Sequence, residues 1–128
     1  MPLILECVLI DCVDLDAMTE FWCQALDLEH VWTGPSAGHL LAASDGSGRQ
    51  LGLMPSKGDK TSKNRVHFDL RPDDQRAEVE RLERLGARRI DIGQADVTWV
   101  VMADPEGNEF CVLRSLAQKE IDQAGHGH

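Results

Sequence analysis

Two short runs hold most of the side chains able to do chemistry. The first is Arg65-Val66-His67-Phe68-Asp69-Leu70-Arg71, and the second is Glu109-Phe110-Cys111-Val112-Leu113. Both alternate polar or reactive residues with apolar ones, which is the period of a strand with one buried face. Arg65, His67, Asp69 and Arg71 then share a face opposite Val66, Phe68 and Leu70. Likewise Glu109, Cys111 and Leu113 stand opposite Phe110 and Val112. Imidazole titrates near neutral pH, and a carboxylate can act as a base beside a carbonyl. His67 and Glu109 are therefore candidate proton-transfer groups, with Arg65 or Arg71 to hold an anionic group of a substrate. A structural use is open to the same residues. His67 also suits a hydrogen-bonded sheet position, and Glu109 suits an ion pair with Arg65 or Arg71.

An internal duplication supplies the elements that must carry these runs. Asp14-Leu15-Asp16-Ala17-Met18-Thr19-Glu20-Phe21-Trp22 and Asp74-Gln75-Arg76-Ala77-Glu78-Val79-Glu80-Arg81-Leu82 begin sixty residues apart. Each opens on an Asp suited to cap a helix. Cys7 and His67 stand seven residues before these caps, and Ser44–Leu53 corresponds to Ala103–Val112 at an offset of fifty-nine. Each half is expected to run strand, helix and three strands. In the first half the strand is Leu3 to Cys12, and Met18, Phe21, Trp22, Ala25 and Leu26 form the helix stripe. Strands follow near 29–33, 38–44 and 49–54, then a polar linker over 55–64. In the second half the strand is 65–71, and the helix about 74–85 ends at Gly86. Val79, Leu82 and Leu85 point inward, Glu80 and Arg84 form an exposed pair, and strands lie near 88–92, 97–103 and 108–114. The polar tail, 117–128, is expected to be solvated and flexible.

The expectation is an α+β fold, a single domain over 1–116 built of modules 3–54 and 65–114. One helix covers only one face of a four-stranded sheet, so each module keeps a helix-free face. By parity that face carries Cys7, Leu9, Asp11, Gln50, Gly52 and Met54 in the first module. Two such curved mixed sheets are expected to enclose a concave pocket lined by Asp11, Gln50, Arg65, His67, Asp69, Glu109 and Cys111. Trp99 or Trp32 would form its wall. Asp104, Pro105, Gly107 and Asn108 read as a turn with a structural purpose.

Composition narrows the field. The chain has 128 residues, 42% hydrophobic and 27% charged, with a formal net charge of −9. That is an ordinary globular balance, and a domain of this size buries roughly two-thirds of its unfolded surface. The acidity argues against nucleic acid or an anionic membrane as partner. No apolar run reaches membrane-spanning length, and the start Met1-Pro2-Leu3-Ile4-Leu5-Glu6 does not read as a signal peptide. A cytoplasmic protein with four reduced thiols (Cys7, Cys12, Cys23 and Cys111) is the expectation. A metal-collecting role for His126 and His128 is weaker than a solvated tail.

The duplicated helix starts, Arg65 to Asp74 and the run Asp104-Pro105-Glu106-Gly107-Asn108-Glu109-Phe110-Cys111-Val112-Leu113 together resemble the vicinal oxygen chelate superfamily, the glyoxalase, bleomycin-resistance and extradiol-dioxygenase group. The resemblance spans Leu3 to Leu113 and is closest to small glyoxalase-like proteins. It implies paired βαβββ modules and a homodimer. It also implies metal ligands at four equivalent strand positions, here Cys7, Gly52, His67 and Cys111. Gly52 offers no donor, and the usual His and carboxylate at the first and last positions are Cys7 and Cys111. A trio of Cys7, His67 and Cys111 would suit zinc better than magnesium or manganese.

Three function classes follow. One is a metal-independent lyase- or isomerase-like enzyme with no cofactor, acting on a small oxygenated molecule, with His67 and Glu109 moving protons. In that reading Asp11, Gln50, Arg65, Asp69, Arg71 and Trp99 contact the substrate. The second is a protein that sequesters a small, cationic or aromatic compound. The third is a zinc-dependent lyase or dioxygenase built on Cys7, His67 and Cys111.

Overall fold

The computed structural model describes residues 3, 5–58, 60, 62, 64–90 and 98–125. The chain divides into two compact units, Met1–Lys60 and Thr61–His128, and the division falls in the polar stretch read as a linker. Each unit has the expected strand-helix-three-strand order, so the fold is α+β.

The first unit comprises β1 (Leu9–Cys12), α1 (Leu15–Leu26), β2 (Glu29–Thr33), β3 (His39–Ala42) and β4 (Gln50–Pro55), in sheet order β1-β4-β3-β2. β1 and β4 are parallel, with Leu9 opposite Gly52 and Asp11 opposite Met54. The other neighbours are antiparallel. The second unit repeats this with β5 (Phe68–Leu70), α2 (Gln75–Leu85), β6 (Arg88–Arg89), β7 (Val100–Ala103) and β8 (Glu109–Val112), in order β5-β8-β7-β6. Its parallel pair is β5 with β8. A third helix, α3 (Leu116–Gly125), follows.

The helices start where the acidic caps lie. The Asp14 carboxylate accepts the Ala17 N–H at 3.0 Å, and that of Asp74 accepts the Ala77 N–H at 3.1 Å. Each cap satisfies a backbone donor that the first helical turn leaves without an intrahelical partner. α2 stops at Gly86, whose φ of 119° a side chain would resist, and the Gly86 N–H returns to the carbonyls of Glu83 and Leu82. α1 buries Met18, Phe21 and Trp22 over a sheet that contributes Leu41, Leu51 and Leu53. The Phe21 and Trp22 rings meet edge to face, centroids 5.0 Å apart. α2 buries Val79 and Leu82 toward the sheet bearing Phe110 and Val112. In the last strand of each sheet burial runs on without alternating: Leu51, Gly52 and Leu53 are buried in β4, and Phe110, Cys111 and Val112 in β8.

Several boundaries differ from the sequence reading. β1 keeps only the last four residues of the run from Leu3 to Cys12, and Leu3 and Leu5 are exposed. A strand lasts only as long as it has a partner, and β4 pairs no residue before Leu9. β5 is likewise confined to Phe68–Leu70. Val66, expected to face the helix, precedes it and is 76% exposed. Leu85 is half-buried rather than core. Glu80 pairs with Arg76 at 3.6 Å, one turn upstream rather than downstream. The tail from 117 contains most of α3. The Ser115 hydroxyl accepts the Gln118 N–H at 3.0 Å, and Arg114 reaches Asp122 at 2.8 Å. Those two contacts start and pin a helix whose polar composition hid it. The outer part of the expected strand 88–92, the start of 97–103, and His126 and His128 lie outside the described residues.

Candidate functional site

In the second unit the parallel pairing of β5 with β8 sets Asp69 opposite Cys111. His67 stands two residues before Asp69, so alternation aims both side chains to the same face. The result is a cluster in which ligand-capable atoms of His67, Asp69 and Cys111 all lie within 4.8 Å of one another. His67 Nδ1 is 3.6 Å from Asp69 Oδ1. His67 and Asp69 are exposed, while Cys111 is buried.

The other polar residues of these two runs take separate partners. Glu109 Oε2 accepts the backbone N–H of Asn64 at 3.0 Å, tying the segment before β5 to β8. Arg71 donates to the Arg114 carbonyl at 2.7 Å. Arg65 is exposed in the bend before β5. Trp99 stands just before β7 and is partly exposed.

The helix-free face of the first unit is concave. A space of about 360 Å³ opens over it, walled by Trp32, Leu9, Leu40 and Met54, with Glu6 and Gln50 among its polar neighbours. Gln50 Nε2 donates to the Glu6 carbonyl at 2.5 Å, which fastens the segment before β1 beside β4. Two glycines bring the walls close. A Cβ at Gly52 would run into Leu9 Cδ2, and one at Gly38 would run into Met54 Sδ. Asp11 is exposed at the far end of β1, opposite Met54, and does not line the space. Of the residues expected in one shared chamber, Gln50 therefore lines this space, whereas Arg65, His67, Asp69, Glu109 and Cys111 belong to the second unit.

Sequence reasoning missed His39, Leu40 and the β2–β3 turn of Gly34, Pro35, Ser36 and Gly38. Parity in β3 offered a signal for Leu40, since Leu41 is a core residue. His39 Nδ1 is 2.8 Å from the Thr19 hydroxyl, and its ring stacks on His30 at 3.9 Å. Burial, then the neighbouring His30, hold the His39 pKa below the ordinary 6.5, against a smaller opposing pull from Asp16. Unfolding releases that depression, so between the lowered value and 6.5 the unfolded chain binds more protons. Stability from this group is complete above pH 6.5 and falls as the pH drops through the window below it. Urea midpoints measured from pH 7.5 to 5.5 are expected to decline less steeply in His39→Gln than in the parent protein.

The metal positions implied by the superfamily resemblance do not fit an oxygen-seeking cation. Gly52 has no donor, and the volume a side chain would need there is occupied by Leu9. Cys7 and Cys111 bring sulfur where magnesium or manganese asks for oxygen. The Cys7 thiol donates to the Val8 carbonyl at 3.3 Å.

Comparison with known proteins agrees with the fold. A family model described as a glyoxalase-like domain matches residues 7–113. The fosfomycin resistance protein FosX of Listeria monocytogenes, in a mutant complexed with Mn(II) and 1S,2S-dihydroxypropylphosphonic acid, superposes with a TM-score of 0.66 at 16% identity, covering 97% of this chain and 99% of that one. The trypanothione-dependent glyoxalase I of Leishmania major gives 0.64 at 18% identity, covering 95% and 96%. A glyoxalase/bleomycin resistance protein/dioxygenase family enzyme of Burkholderia phytofirmans gives 0.60 at 20% identity, covering 87% and 98%. No curated protein matches the chain. Among the described residues no helix is long and apolar enough to cross a membrane.

Proposed function

The chain belongs to the glyoxalase-like domain family of the vicinal oxygen chelate superfamily, and from that premise we propose that it binds a small molecule on the helix-free face of its first module. The observation that carries this reading is Trp32. Its indole is 58% exposed, beside a concavity otherwise lined by Leu9, Leu40 and Met54. An aromatic ring left open next to apolar walls gains by covering itself with a flat apolar group. Gln50 and Glu6 supply the polar contacts that would orient such a ligand. The carboxylate of Glu6 and the net charge of −9 favour a cationic or neutral compound over an anion.

The test is a thermal-shift screen of small aromatic and cationic compounds, followed by titration of the best hit. Trp32→Ala is expected to weaken binding by roughly 10- to 100-fold, in the range of an aromatic anchor, with a melting temperature close to that of the parent. Undiminished binding in that variant would end this assignment of the pocket.

A second reading rests on the carboxylate of Asp69 beside His67 Nδ1. It is a proton-transfer enzyme in which His67 acts with Glu109. Asp69 would orient the imidazole. Chemical conversion of the bound compound, lost in His67→Ala with binding intact, favours that reading. Recovery of the compound unchanged favours sequestration.

A further inference from the structure

The β2–β3 hairpin holds a contact that sets the aromatic wall of the first module's cavity. Trp32 lies in β2, and Gly34 continues the pairing past Thr33, its N–H donating to the Gly38 carbonyl at 2.9 Å. Two residues apart on extended backbone, Trp32 and Gly34 share a face, and both line the cavity. A Cβ at Gly34 would stand 2.8 Å from both Cζ3 and Cη2 of the Trp32 indole, a distance that real Cβ atoms do not keep. The far end of the ring therefore lies on bare Gly34 backbone. Resting on the assignment of a ligand pocket there, we propose that Gly34 is the positioning residue of this site. It seats the indole as a fixed wall, and the site so formed selects flat aromatic molecules over rounded ones of the same charge.

The seat is itself held in place. Besides the bond from its N–H to Gly38, the Gly34 carbonyl accepts the Ala37 N–H at 3.0 Å. Both backbone groups of Gly34 are thereby engaged, so the surface under the ring cannot shift without breaking a hydrogen bond. Gly34 takes no left-handed φ, unlike Gly46, Gly48, Gly86 and Gly107. Backbone conformation therefore does not ask for glycine at 34, whereas the close approach of the ring does. The arrangement recurs around the same space. A Cβ at Gly38 would run into Met54 Sδ, and one at Gly52 into Leu9 Cδ2, and Met54 and Leu9 are walls of that cavity. A ring with a fixed place loses little freedom when a ligand arrives, whereas a ring lifted off its seat must be ordered by each one. A fixed plane beside apolar walls offers its whole face to another plane and only part of it to a rounded molecule. In Gly34→Ala the atoms displaced are the far end of a side chain that is already largely exposed, so the ring gives way and the fold does not.

The contact is read first without any ligand. Proton NMR of the full-length parent is expected to show cross-relaxation between the Trp32 ring protons Hζ3 and Hη2 and the α-protons of Gly34. Binding is then read by titrating N-methylquinolinium, a flat cation, and N-methylquinuclidinium, a rounded one. The parent is expected to bind the flat cation more tightly. Gly34→Ala is expected to weaken that binding roughly 3- to 10-fold, the cost of ordering one side chain on binding, with a melting temperature close to the parent's. In Trp32→Phe, whose shorter side chain clears a Cβ at 34, the same change is expected to alter affinity less than about twofold. A merely structural role of Gly34 in the turn would cost the same beside either ring. Four results each overturn the proposal: no cross-relaxation in the parent, no binding of or no preference for N-methylquinolinium, parental affinity in Gly34→Ala, or an equal loss in the Trp32→Phe background. The pocket itself stands through any of these while a hit from the thermal-shift screen loses affinity in Trp32→Ala. Undiminished binding of that hit in Trp32→Ala removes the pocket and the proposal together.

Discussion

Replacing Asp104 by alanine is expected to cost about 3 kcal/mol of stability, the scale of stranding buried partners of a charged group. Asp104 is fully buried between β7 and β8. Its Oδ1 accepts the N–H groups of Glu106 and Asn108, each at 2.9 Å, and its two oxygens take the Asn108 side-chain amide at 3.1 and 2.9 Å. The chain closes around it, with Asp104 N donating to the Asn108 carbonyl and Gly107 N to that of Asp104. Gly107 takes a φ of 91° to do so. Alanine removes the acceptor and leaves the half-buried donors of Glu106 and Asn108 without it. Asp104→Asn keeps the shape and one acceptor, and is expected to lose about half as much. Urea denaturation measures both, with a lowered midpoint and an unchanged slope. A loss under about 1 kcal/mol in the alanine variant would show that the turn forms without its carboxylate.

Trp22→Ala is expected to be at least as severe, at roughly 3–5 kcal/mol. The indole is almost wholly buried on α1, meets Phe21 edge to face, and lies in a core that includes Leu41 and Leu53. Truncation removes its apolar burial and leaves a cavity the neighbouring strands fill only in part. Thermal melts and urea titrations should both register the loss, and a shift like that of an exposed-site variant would contradict this account of the core. The contrast with Trp32 is direct. The same residue type in the next element is expected to govern binding and barely touch stability, because burial decides which.

The helix starts, helix stripes and strand alternation were legible because each rests on local chemistry. Asp14 and Asp74 announce caps, Gly86 announces a stop, and Phe110 with Val112 announces a buried face. The shared orientation of His67, Asp69 and Cys111 followed from the same alternation. What escaped was set by partners distant in sequence. Val66 lost its strand because no neighbour extends to it. Glu109 accepts from the Asn64 backbone, a partner the residues alone did not announce. The pocket wall at His39 and Leu40 depends on a turn whose path the residues alone did not disclose. α3 was hidden because its supports, Ser115 and the Arg114–Asp122 pair, are polar, and its large apolar residues, Leu116 and Ile121, stay exposed.

The contact of Leu9 with Gly52 also opens two routes of change at this face. Leu9 is 59% exposed, so shortening it is one of them. The atom that a Cβ at 52 would meet is the far end of the Leu9 side chain, which has open solvent to turn into. A small residue at 52 therefore asks only that Leu9 swing aside, and the cavity wall on this side can be reshaped from either position.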